Sequence, residues 1–128
     1  MALQVKYSES LTVQHLVRVQ PSARSRITGK VKSVLDKLYP LLIEEAQRNQ
    51  VALTRIEVST FSDPEDDTTE LVVTQWVQLS PSNALEYWDR VGIALQHWSQ
   101  QLSRELRRIA LERIAVEVRW DEGSFPVP

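Results

Sequence analysis

Five carboxylates fall within eight residues: Asp63, Glu65, Asp66, Asp67 and Glu70. Several oxygens from one short loop are what a hard cation such as calcium takes. The calcium-loop pattern also needs glycine at its sixth position and glutamate at its twelfth. Counted from Asp63, those places hold Thr68 and Thr74. The cluster is therefore expected to be a solvated hairpin tip whose charge discourages edge-to-edge association, and no metal is assigned to it.

The opposite charge gathers in residues 18–32, where Arg18, Arg24, Arg26, Lys30 and Lys32 occur without an acid. Beside Ser22, Ser25 and Thr28, at the start of a helix, these cations could grip phosphates. Lysines at a helix N-terminus oppose the macrodipole at a small cost, a hint that the charge is kept for something. The plainer reading, a basic loop balancing the acidic tip, is preferred. A third group, Arg104, Arg107 and Arg108, would complement the negative end of a helix.

Catalytic patterns are missing. His15 and His97 show no metal-ligand spacing, and no nucleophile elbow, Ser/His/Asp arrangement or P-loop occurs. Three glycines leave little for a phosphate-cradling loop. Glu86 and Arg90 stand four apart, as a solvated helix pair does. No catalytic, cofactor-binding or metal residue is assigned, no cofactor is expected, and the sequence leans away from an enzyme.

Composition agrees with an ordinary globular domain: 128 residues, 42% hydrophobic, 25% charged, net charge -2. That balance supplies neither a global polycation for nucleic acid nor a polyanion. No cysteine is present, which excludes disulfides, thiolate metal sites and cysteine nucleophiles and suits the cytoplasm. No signal-peptide core opens the chain and no apolar run approaches a membrane span.

The element most clearly written is a helix from Ser80 to about Ala110. Ser80-Pro81 is a start signal. Leu85, Trp88, Gly92, Leu95, Ser99, Leu102, Leu106 and Ile109 then recur at helical spacing, widened by Ala84, Val91 and Trp98. Upstream, residues 2–7 and 11–20 alternate as strands, the second with helix as its alternative, and 21–28 is a loop. Residues 29–48 read as a helix with Thr28 as its cap and Asn49 as its stop, kinked or broken at Pro40. Residues 51–61, 71–79 and 114–120 read as strands, and 121–128 as a tail.

With no repeat or linker, 1–128 is one α+β domain. The order β-α-β-β-α-β, with a possible extra N-terminal strand, is that of the ferredoxin-like split βαβ plan. That plan is an antiparallel sheet with two helices on one face and right-handed crossovers. Its other face would carry Arg55, Glu57, Thr74, Trp76, Gln78, Glu117 and Arg119. A fold plan lends no function.

The expected function is non-catalytic protein–protein interaction, as a homodimer. A helix of about thirty residues, roughly 45 Å long, overruns strands of about 30 Å. Its far apolar residues, Leu102, Leu106 and Ile109, would then need a second copy as cover; alternatively, two sheets would pair over Trp76. Two other readings stand behind this one. One is a nucleic-acid module using residues 18–32, possible but not favoured. The other is a small-ligand binder or enzyme with its site on the sheet face near Trp76.

Overall fold

The structure, a computed structural model, describes Val13 and residues 15–120. In chain order its elements are β1 (Val17–Val19), α1 (Pro21–Arg24), α2 (Gly29–Arg48), β2 (Leu53–Asp63), β3 (Thr68–Val77), α3 (Pro81–Gln101), α4 (Arg104–Glu112) and β4 (Ile114–Trp120). The expected strand at 2–7 and the tail at 121–128 lie outside the described residues.

Local departures from the sequence reading have local causes. Val13, His15 and Leu16 are helical and only Val17–Val19 is a strand. Alternation is not enough without a pairing partner, and β2 offers this segment only Ile56–Val58. Thr28 precedes α2 but its side chain makes no capping bond. Pro40 lies inside α2, which runs through it unbroken. Proline there removes one backbone bond and costs about 3 kcal/mol. Burial of Val34, Leu35, Leu38, Leu42 and Ala46 on both sides of it exceeds that cost at about 1.5–3 kcal/mol for each large side chain.

The acidic stretch is half strand and half turn. β2 and β3 extend into it and leave a turn of Pro64 to Asp67. Asp63 organises that turn: its Oδ1 accepts from the Glu65 N–H (2.9 Å) and its carbonyl from the Asp67 N–H (3.0 Å). Asp67 takes a φ of 53°, which aspartate tolerates better than most residues.

The four strands form one sheet in the order β1-β2-β3-β4. β1 pairs with β2 in parallel, β2 with β3 antiparallel, and β3 with β4 in parallel. This overturns the ferredoxin-like expectation, in which the strands interleave and every neighbour is antiparallel. Here two parallel β-helix-β units lie side by side, joined by the central hairpin. Both units step the same way across the sheet while their strands run in opposite directions. With their helices on one face, the two crossovers therefore have opposite hands, and only one keeps the right-handed preference. What survives of the expectation is the α+β class with helices packed on one face of the sheet; the sheet itself is four-stranded and mixed, not antiparallel.

Pairing places Ile56, Gln75 and Val118 in one cross-strand row and Val58, Val73 and Val116 in the next. These face the helices. One core joins them to Val34, Leu35, Leu38 and Leu42 of α2 and to Ala84, Tyr87 and Val91 of α3.

Candidate interaction surfaces

The second face of the sheet is an ordered charge lattice. One row holds Arg55, Trp76 and Arg119; the next holds Arg18, Glu57, Thr74 and Glu117. Arg55 donates through Nε to Glu57 (2.8 Å), and the Arg119 Nε is ion-paired with Glu117 (3.0 Å). Glu117 also accepts from the Thr74 hydroxyl (2.7 Å). The Arg55 guanidinium lies 4.4 Å from the Trp76 ring centroid, a cation–π cover for a half-buried indole. The Trp76 N–H is buried and has no acceptor among the described residues. The expected face residues are thus placed as read, except Gln78, which lies past the end of β3. Trp76 is roofed by an arginine of its own sheet rather than bare.

The acidic and basic segments meet. Arg26 and Lys30 from one side and Asp66 and Glu70 from the hairpin border a cleft of about 1210 Å³, closed on a third side by Glu105, Arg108 and Arg113. Lys30 is ion-paired with Glu105 across it. Lys32 pairs with Asp36 on its own helix (2.7 Å), Arg24 ends α1, and Arg18 lies on the sheet face. The five cations do not converge, and the candidate phosphate grip is dispersed. Among the described residues, no three His, Asp or Glu side chains are placed to hold a metal ion.

The long helix is two helices. Leu102 and Ser103 leave helical geometry (ψ 155° and 156°), and the Ser103 hydroxyl caps a new start by accepting from the Leu106 N–H (3.3 Å). Arg107 reaches back to the end of α3, donating to the carbonyls of Ser99 (3.2 Å) and Gln100 (3.0 Å). It satisfies orphan acceptors there and complements the dipole of α3. α4 folds back so that Leu106 and Ile109 pack against the core. The apolar overhang that called for a second copy is therefore covered within the chain. Leu102, at the corner, is half-buried.

α3 also buries a flank displaced from the one expected. Its buried residues are Ala84, Tyr87, Val91 and Ser99, with Leu95 and Trp98 half-buried beside them; Leu95 and Ser99 of the expected line are kept inward, and its first members are not. Leu85 (52% exposed), Trp88 (37%) and Ile93 (58%) face solvent, as does Leu111 of α4 (67%). Between α2, α3 and α4 a groove of about 570 Å³ is lined by Leu38, Gly92, Leu95, Trp98, Ala110 and Leu111, among others.

Sequence reading missed one polar contact under these helices. The Tyr87 hydroxyl donates to Gln75 Oε1 (3.0 Å), and both residues are buried. The signal was present: Gln75 interrupts the apolar face of β3 between Val73 and Val77. Burial pushes the Tyr87 phenol well up, with the Glu45 carboxylate adding to it.

Comparison with protein-family models, curated proteins and solved structures gave no match. Among the described residues, no helix is long and apolar enough to cross a membrane.

Proposed function

We propose that this protein works by binding another protein, without catalysis of its own, through the outer stripe of α3. One observation carries the reading. α3 bears a second apolar series, Leu85, Trp88, Gly92 and Ile93, at positions i, i+3, i+7 and i+8, and this series faces solvent. That spacing is how a helix presents an apolar stripe to a partner surface. Single exposed leucines are ordinary; the tryptophan beside one on the same flank is a residue type that binding hot spots favour. Gly92 adds no side chain there and leaves the stripe flat enough for close approach.

The competing readings have less support. Lys30 and Lys32 are ion-paired, and Arg18 on the sheet face lies apart from Arg24 at the end of α1, so the segment offers nucleic acid no joint cationic surface. Sheet-face RNA recognition stacks bases on neighbouring aromatics. Here Trp76 lies under Arg55, and Phe61 is six residues from Arg55 along β2, roughly 20 Å away. A dimer through Leu102, Leu106 and Ile109 loses its reason once α4 folds back.

The test is a native mass on the chain purified from its own cells. The expected result is an assembly whose mass is not a multiple of 14.7 kDa, lost in the double variant Leu85→Glu, Trp88→Glu. Leu85 is 52% exposed and Trp88 37%, so the variant should stay folded, which its melting curve checks. A wild-type chain carrying no other protein, or an assembly indifferent to the two substitutions, overturns the reading.

A further inference from the structure

Among the described residues, β4 forms a long sheet edge with one side unpaired, and its chemistry is self-complementary. β4 pairs with β3 along its whole length, Ile114 to Trp120. Its other side carries no backbone bond among the described residues. Which groups point outward follows from the Leu71 N–H, which donates to the Arg113 carbonyl (3.0 Å). A strand residue aims its N–H and C=O to the same side, and successive residues alternate. Arg113, Ala115, Glu117 and Arg119 therefore bond toward β3, while Val116, Val118 and Trp120 present their backbone groups outward.

We propose that two copies of this chain join β4 to β4 across a two-fold axis at Val118, continuing the sheet through both. A two-fold perpendicular to a sheet pairs residues of the same face, so the candidate registers are few. Centred on Glu117, it sets two like charges directly opposite each other. Centred on Val116, it brings Arg113 against the partner copy's Arg119. Centred on Val118, it places each Glu117 opposite the other copy's Arg119, twice over, and sets Val116 opposite Trp120 on the helix face. Centred on Ala115, it also sets Arg113 opposite Glu117, but only Ile114 to Val116 of the strand then overlaps its copy, against Val116 to Trp120 about Val118. Cross-strand opposite charges stabilise a pair and like charges oppose it, so charge and overlap together select the register about Val118. The outward groups of Val116, Val118 and Trp120 are then the hydrogen-bonded pairs. Glu117 and Arg119 fall in the non-hydrogen-bonded pairs, where side chains come closest. Within one copy Arg119 already holds Glu117 at 3.0 Å and remains 59% exposed. The dimer closes a four-charge ring from two such pairs. The occupant is a second copy of the chain, and the outer stripe of α3 takes no part.

The test uses the purified full chain alone. Sedimentation equilibrium should give twice 14.7 kDa. Arg119→Glu, which faces the partner's Glu117 with a like charge, should weaken the dimer by about tenfold or more. Adding Glu117→Arg to it restores the opposite pairing and should recover the wild-type affinity within a few-fold. Leu85→Glu with Trp88→Glu should leave the dimer intact, which separates this surface from the one assigned to another protein. Should the doubly charge-exchanged chain fail to fold, amide exchange on the wild type decides. The Val116 and Val118 amides should gain protection as concentration rises. A wild-type monomer, a dimer indifferent to Arg119→Glu, a folded double variant that stays monomeric, or edge amides whose exchange ignores concentration overturns the proposal. The edge charges would then serve only to keep copies apart.

Discussion

Tyr39 on α2 and Tyr87 on α3 are both buried. Burial pushes the Tyr39 phenol up to about 12, with Asp36 adding to it, and raises Tyr87 further by burial and the Glu45 charge. In the unfolded chain both ionise near 10.0. Because the folded values are the higher ones, stability is undiminished below the unfolded pKa and falls as pH climbs through the window above it. For Tyr39 that window closes near 12. Each phenol that stays protonated while its unfolded counterpart ionises costs about 1.4 kcal/mol per pH unit. Melting temperature should therefore drop steeply above about pH 10, with phenolate absorbance from these two residues rising only as the fold is lost. The chain has three tyrosines, so more than one equivalent of phenolate near pH 10 with the fold intact would show that these two hydroxyls are not both held as described. At this scale the sequence was partly legible. Arg55, Glu57, Thr74, Trp76, Glu117 and Arg119 share a face because strand periodicity is strict. That Arg55 roofs Trp76 was not legible, since it depends on which strands are neighbours.

Secondary-structure elements were legible where burial follows a simple period, as in α2, β3 and β4. They failed where a local cap competed with that period. Ser103 looks like one polar residue inside a long apolar stripe, yet its hydroxyl starts a new helix, and Glu105 in the first turn supports that start. With α4 folded back, Leu106 is half-buried against the core. Leu106→Glu should then destabilise the monomer by roughly 1–3 kcal/mol and leave the association state unchanged. Chemical denaturation gives the first quantity and sedimentation the second. A variant of unchanged stability that loses its partner would return Leu106 to an interface.

Taken as a whole, the molecule mixes its charges. Net charge is -2, and the five cations of residues 18–32 are split between the sheet face, α1, an ion-paired cleft and a pair within α2. Counterion release needs several cations that reach one phosphate backbone together. Bulk RNA or duplex DNA should therefore give no shift even at low ionic strength, and Arg24→Ala with Arg26→Ala should change nothing. Binding that falls along a linear log-salt slope and flattens in that variant would restore the nucleic-acid reading.

From sequence alone came the α+β class, the helix at 29–48, the central hairpin, the sheet face bearing Trp76 and the lack of a catalytic pattern. Each rests on periodicity, turn chemistry or composition, which act within a few residues. Strand order was decided only in the tertiary structure. The order β-α-β-β-α-β fits interleaved strands and side-by-side units alike, and nothing within any one strand says which neighbour it takes. Tertiary packing also decided which flank of α3 is buried. The stripes starting at Ala84 and at Leu85 are both apolar at helical spacing. Tyr87 can reach Gln75 only when the first faces the sheet, and that choice leaves Trp88 in the solvent.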